Sequence, residues 1–219
     1  MDGTRLAQLR YFLLGSEHSD VRDSAYRFWK SFWTDVYRAV GNDEGPHDDD
    51  FHRQTYLSVI TENDEVVALH TYTIFDLASE ADRNHSYFRR YYSTDAIDAL
   101  RRSGVKRAMT MEYFSVNRDW RSKHVGMSFA SVVAGLGVRL AQNIGVDAIV
   151  SAARTDVGAD RIGKAFGAET VATTQVNGVN TELLVFHRDA MHAHADATIE
   201  QWVQHFWDRR EHRETKSAA

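Results

Sequence analysis

The sequence predicts a mixed α/β (α+β) domain, a mostly antiparallel sheet flanked by helices with one more helix added at the C-terminus. Three observations carry this. Two β-rich pairs are joined by turn residues, around Thr61–Asp64 (TEND) and around Asn177-Gly178, the latter a strong two-residue hairpin signal. Between them, Arg107–Ala153 reads strand, long apolar helix, strand, and such a crossover brings parallel pairing into the sheet. Finally, two segments carry apolar residues at the 3.6-residue helical period.

In chain order, Ser24–Val40 places Ala25, Phe28, Trp29, Phe32, Trp33, Val36, Tyr37 and Val40 on one helical stripe, with Asp20 or Asp23 as its cap. Gly41–Asp50 is a turn-rich acidic loop. Thr55–Ile60 and Glu65–Phe75 are strands. Leu77–Gly104 is polar and partly helical, and contains the basic and aromatic His85–Tyr92. Arg107–Val116 (RAMTMEYFSV) is a strand, and Val125–Gly145 a buried helix closed by Gly145. Asp147–Ala153 is a short buried strand, Asp156–Phe166 a helix, and Val171–Val176 with Asn180–His187 a hairpin. The stripe of Ile199, Trp202, Val203, Phe206 and Trp207 gives the last helix, Asp196–Glu211, before a frayed tail, ETKSAA. The 219 residues form a single domain, with a core over about 20–190 and a C-terminal helix and tail over 191–219.

Composition excludes several classes. A net charge of −5 argues against a dedicated nucleic-acid binder. The chain has no cysteine, which removes disulfides, thiolate metal sites and a cysteine nucleophile. No apolar run is long enough to span a membrane, and the N-terminus lacks a signal-peptide core, so a cytoplasmic location is expected. His192 and His194 alternate without a third ligand, so no metal is expected.

The most informative stretch is RSKHVGMS, Arg121–Ser128, between a strand and a long helix. The first amides of a helix have no internal partner, and its dipole favours negative charge there. Cations and a glycine at that point suit a phosphate, or form a basic, solvated turn that caps the helix. With its surroundings, the segment resembles the GNAT superfamily of N-acyltransferases, whose pattern is a strand, an R/Q-x-x-G-x-G/A loop, a helix, a strand and a short helix. Arg121 fills the Arg/Gln position and Gly126 the last glycine, while His124 stands where the first glycine usually is. Downstream, Asp156 takes the Asn position of an N-x-x-A helix, Ala159 matches, and Gly167 matches a final glycine. The likeness covers about Arg107–His187, and the hairpin at Thr55–Phe75 fits the family's earlier strands.

The resemblance implies an enzyme moving an acyl group from an acyl thioester to a primary amine by direct attack. The donor is acyl-CoA, acetyl-CoA among them, or the acyl-phosphopantetheine of an acyl carrier protein. Backbone amides over Lys123, His124, Val125, Gly126, Met127 and Ser128 would hold the phosphate, with Arg121, Lys123 and the Ser128 hydroxyl in support, and Asp156 on the donor side. The strand over Phe114–Val116 would lie along the pantetheine arm, with an amide facing the carbonyl. Glu112, the one acid in an apolar strand, would take the amine's proton, directly or through water, since burial raises a carboxyl pKa; the alternative is that it points to an edge or pairs with a nearby arginine. The family's tyrosine acid falls on Gly163, so Ser115, Asn117 or Tyr113 would substitute.

The aromatic first helix followed by DDDFHRQTYLSVI resembles the front half of the autoinducer synthases and the N-acyl amino acid synthases, the latter more closely. An amino acid is therefore a candidate acceptor. Cations from Arg83 to Arg107, with Arg118, Arg121 and Lys123, would form a face for an acidic carrier protein, or are scattered and solvated. A homodimer contact through the last helix is a further possibility. The alternative function is a GNAT-like module that binds an acyl thioester or a protein partner without catalysis.

Overall fold

The computed structural model describes residues 8–211; the ETKSAA tail lies outside the described residues. The first strand, β1 (Leu9–Leu14), has no counterpart in the sequence prediction. Five of its six residues are buried, so it lacks the alternation that marks a half-exposed strand. Tyr11 and Leu13 pack into the cluster on one face of the sheet, Phe12 and Leu14 into the cluster on the other.

Helix α1 spans Asp20–Arg38 and is capped by Ser19, whose hydroxyl accepts from the Arg22 amide 3.1 Å away. Asp20 and Asp23 instead occupy the first turn, where carboxylates complement the helix dipole. A single turn, α2 (Asp49–His52), ends the acidic loop. Strands β2 (Tyr56–Glu62) and β3 (Glu65–Tyr72) pair antiparallel across Asn63 and Asp64, at φ 50° and 66°, the two left-handed residues that a tight hairpin requires. After β4 (Ile74–Asp76) come three short helices, α3 (Glu80–Arg83), α4 (Ser86–Tyr91) and α5 (Thr94–Arg102).

The predicted strand Arg107–Val116 is divided into β5 (Arg107–Thr110) and β6 (Glu112–Val116). A single turn, α6 (Ser122–Val125), precedes α7 (Phe129–Ile144), which Gly145 closes in the left-handed conformation. Strand β7 (Ala148–Arg154), helix α8 (Ala159–Lys164) and the hairpin β8 (Glu169–Val176) and β9 (Val179–His187) follow. Asn177 and Gly178 take φ 51° and 74°, as the hairpin signal requires. Helix α9 is Ala197–Asp208, capped by Asp196.

Two sheets share the long strands. One is ordered β1-β2-β3-β6 and the other β4-β5-β7-β9-β8. The ladder between β3–β4 and β5–β6 is antiparallel throughout, from Asp76–Arg107 to Ala68–Val116. Among the described strands only β5 and β7 form a parallel ladder, over Ala108–Thr110 and Ala148–Val150, and an isolated parallel bridge joins Phe12 to Glu211. Helix α1 covers the face carrying Phe12, Leu57 and Leu69. Helices α7 and α9 cover the opposite face. At Gly135 of α7 an added Cβ would lie 2.6 Å from Val203 of α9, so the small residues of α7 let α9 approach. Phe206 is buried there and Trp202 and Trp207 are half-buried. The third cluster, with Tyr87, Phe88, Ile97 and Leu100, seats α4 and α5 on the second sheet. Among the described residues no helix is long and apolar enough to cross a membrane.

Candidate functional site

The site begins where β6 parts from β7. Up to Val150 the two neighbouring strands are bonded, and the last bond runs from the Met111 amide to the Val150 carbonyl at 3.1 Å. The Ser151 hydroxyl then donates to the Met111 carbonyl at 3.1 Å and closes the apex. Beyond it, β6 pairs only with β3, and β7 only with β9. The gap opens into a cavity of about 180 Å³. Met111, Glu112, Tyr113 and Phe114 form one wall, and Ser151–Arg154 the other. Trp33, Tyr37 and Tyr91 line it on the α1 side, and Ala134, Ile162 and Leu184 on the α7 side. The cavity therefore crosses the sheet.

A bulge shapes the first wall. Two residues of β6, Tyr113 and Phe114, oppose the single residue His70 of β3. Tyr113 is left-handed, at φ 54°, a conformation that costs a non-glycine residue about 1–2 kcal/mol. Its ring is held edge-on by Trp29 and Trp33, with centroids 5.3 and 5.1 Å away. The Ser115 hydroxyl donates to the Tyr113 carbonyl at 2.8 Å and accepts from Trp33 Nε1 at 2.9 Å. The aromatic stripe of α1 is thus divided, with Trp29 in the core and Trp33 in the cavity wall.

Glu112 is 8% exposed and is not a free carboxylate. Arg53, just past α2, reaches it with a two-bond fork at 3.1 and 2.5 Å, and the Thr110 hydroxyl donates at 2.8 Å. Burial pushes the Glu112 carboxyl above the ordinary carboxylate range, while Arg53 and Thr110 pull it back. Burial works against the Arg53 charge too, but Glu112 more than offsets it, so Arg53 stays cationic. Burial also raises Tyr113 and Tyr91, keeping both as neutral phenols at the cavity.

The other predicted residues are distributed as follows. Phe114 lines the cavity, whereas Ser115, Val116 and Asn117 are not among its lining residues. Val116 is paired to Ala68, and Asn117 caps a 3₁₀ turn by accepting from the Asp119 amide at 3.2 Å. Residues Arg121–Ser128 stand outside the cavity, at the N-terminal end of α7. Arg121, Lys123, His124 and Gly126 are exposed, Met127 and Ser128 are half-buried, and Val125 is buried. The expected run of free amides is interrupted. The amides of His124, Val125 and Gly126 bond to the Arg121 and Ser122 carbonyls, as a helical turn demands. His124 therefore needs no glycine-like backbone, and Gly126 alone turns left-handed, at φ 73°. The Ser128 hydroxyl caps α7 by accepting from the Ser131 amide at 3.1 Å. Asp156 is exposed and forked by Arg154 at 3.0 and 2.6 Å, which holds its carboxyl below the usual range. Gly163 does line the cavity, and an added Cβ would meet Leu184 at 2.6 Å, so a tyrosine does not fit there. Among the described residues no group of three or more His, Asp or Glu is placed to hold a metal.

Sequence reasoning missed Arg53, His70, Tyr87 and Tyr91. Arg53 had one available signal, because an acid inside an apolar strand calls for a buried cation.

No protein-family model matches the sequence. No curated protein matches it either. The fold is the GNAT-like one expected from the sequence and resembles those of solved N-acyltransferases. Three solved structures illustrate this. FeeM, an N-acyl amino acid synthase from uncultured soil microbes, superposes with a TM-score of 0.54 at 11% identity, over 83% of this chain and 92% of its own. Arylalkylamine N-acetyltransferase 2 from Aedes aegypti gives 0.60 at 12%, over 82% and 99%. The AHL synthase LasI gives 0.58 at 13%, over 88% and 95%.

Proposed function

We propose that the protein is an N-acyltransferase that moves an acyl group from an acyl thioester to a primary amine, with an amino acid as a candidate acceptor. The observation that carries this is the parting of β6 from β7 at Met111, which opens a passage through the sheet. A thioester arm entering from the α7 side has its carbonyl within the gap, and an amine entering past Trp33 and Tyr37 approaches it from the other face. The donor phosphate sits at the N-terminal end of α7, on the amides left free there, with Arg121 and Lys123 as counter-charges.

The amine nitrogen attacks the carbonyl carbon, the carbon–sulfur bond breaks and a thiolate leaves. Glu112 takes the proton of the amine, directly or through one water, and Arg53 holds it in place. The bulge at Tyr113–Phe114 turns backbone out of the ladder toward the carbonyl, and the Tyr113 phenol, packed against Trp29 and Trp33 on the α1 side, lines the approach of the amine. Ser115 acts by fixing Tyr113 and Trp33. Asn117 and Asp156 shape the neighbouring turns. Coenzyme A and acyl carrier protein both present a phosphate and a pantetheine arm, and the exposed Arg89, Arg102, Arg121 and Lys123 suit an acidic carrier. A cytoplasmic setting belongs to the same reading.

Calorimetric titration with acetyl-CoA, a long-chain acyl-CoA and a matching acyl carrier protein tests the donor side. Micromolar binding of one donor, weakened by Arg121→Ala, is the expected result. Failure of all three to bind would remove the assignment.

A further inference from the structure

Four buried side-chain atoms lack a hydrogen-bond partner among the described residues: Trp29 Nε1, Thr61 Oγ1, His70 Nδ1 and Asp160 Oδ1. Of these four residues, only His70 lines the cavity. It is 4% exposed and sits on β3 opposite the bulge, with the Phe114 ring 5.2 Å and the Tyr72 ring 4.9 Å away, centroid to centroid.

The chemistry of that nitrogen follows from its surroundings. The His70 ring faces the backbone of Val133 in α7, whose polar group works weakly against the effect of burial on the ring. The unpartnered atom is Nδ1, which in the neutral ring is either the N–H donor or the lone-pair acceptor, and a hydroxyl can meet it in either role. Burial pushes the His70 pKa down to about 3, so the ring is neutral and too weak a base to carry a proton at neutral pH. What remains is an unpartnered polar nitrogen on the α7 side of the cavity, where the apolar Phe114, Ala134, Ile162, Leu184 and Phe186 also line it.

We propose that the acyl group accepted by this protein carries a hydroxyl, and that this hydroxyl hydrogen-bonds to His70 Nδ1. The proposal rests on the N-acyltransferase reading and adds the substrate class. An acyl chain that was hydrocarbon throughout would seal Nδ1 off from water without a partner, which disfavours it. His70 lies one strand in from the gap, on the α7 face, where the acyl part of the donor runs beyond the reacting carbonyl.

The test is kcat/KM for thioesters of one chain length, unsubstituted, 2-hydroxy and 3-hydroxy, each offered on coenzyme A and on an acyl carrier protein. For the wild type, one hydroxyacyl donor is expected to exceed the unsubstituted donor about tenfold or more, because a buried polar group left unpaired discriminates at that level. In His70→Phe that ratio is expected to collapse toward one. A wild-type ratio near one would overturn the proposal whether or not the variant folds, and would mean that water satisfies Nδ1. A ratio that survives His70→Phe would overturn it as well. Consumption of no thioester at all would instead overturn the enzyme reading, and the proposal with it.

Discussion

Arg53 and Glu112 lie 59 positions apart in the chain and meet in a two-bond fork at the cavity wall. Their side chains are 17% and 6% exposed, so neither charge is well solvated without the other. Removing one partner of a buried pair leaves the other uncompensated. Arg53→Ala is therefore expected to destabilise the fold by about 3–5 kcal/mol, and Glu112→Gln, which keeps the shape and some hydrogen bonds, by less. Denaturant unfolding of both variants checks the order, and equal losses would contradict it.

Glu112→Gln should also lower kcat by about 10²–10⁴, the range usual for a positioned base. The deficit should shrink as pH rises, because the amine then loses its proton to solvent and no longer needs Glu112. A deficit constant with pH would assign Glu112 a purely structural place.

His70 sets a second pH dependence, on stability. Its folded pKa of about 3 lies below the ordinary histidine value of 6.5. Between the two, the unfolded chain binds a proton that the folded chain does not. Stability is therefore full above pH 6.5 and falls as pH drops through that window. His70→Phe should flatten the slope between pH 7 and pH 4.5 in urea titrations. An unchanged slope would show that His70 is not the group responsible.

At Gly126 an added Cβ meets nothing within 4 Å, yet φ is 73°. Gly126→Ala should thus cost about 1–2 kcal/mol of local strain and weaken thioester binding several-fold, leaving the bulk fold intact by circular dichroism. Gly135→Ala differs in kind, because its Cβ would lie 2.6 Å from Val203. It should cost about 1–3 kcal/mol by overpacking, seen as a lower Tm with donor affinity retained.

The turns and stripes were legible because their chemistry is local. Asn177-Gly178 and the apolar period of α1 and α9 each declare themselves within a few residues. What escaped was long-range. Strand β1 is buried on both faces and shows no alternation. The pattern of RAMTMEYFSV runs unbroken through Met111, and only the departure of β7 divides it. Glu112 could be read as an acid out of place, but its partner Arg53, just past α2, could not be named, since nothing in 59 residues of spacing encodes the pairing. RSKHVGMS was legible as a helix entry with cations, whereas its internal turn depends on three amides bonding back to Arg121 and Ser122.

The central claim is that the gap between β6 and β7 delivers an acyl group from a thioester to an amine. The most direct measurement is free-thiol release from acyl-CoA and acyl carrier protein donors with and without a mixture of primary amines, with mass analysis of the products. The account predicts thiol release that depends on the amine, with one N-acyl product formed per thiol. Donor binding with no amine-dependent release would contradict it and leave a module that binds thioesters without using them.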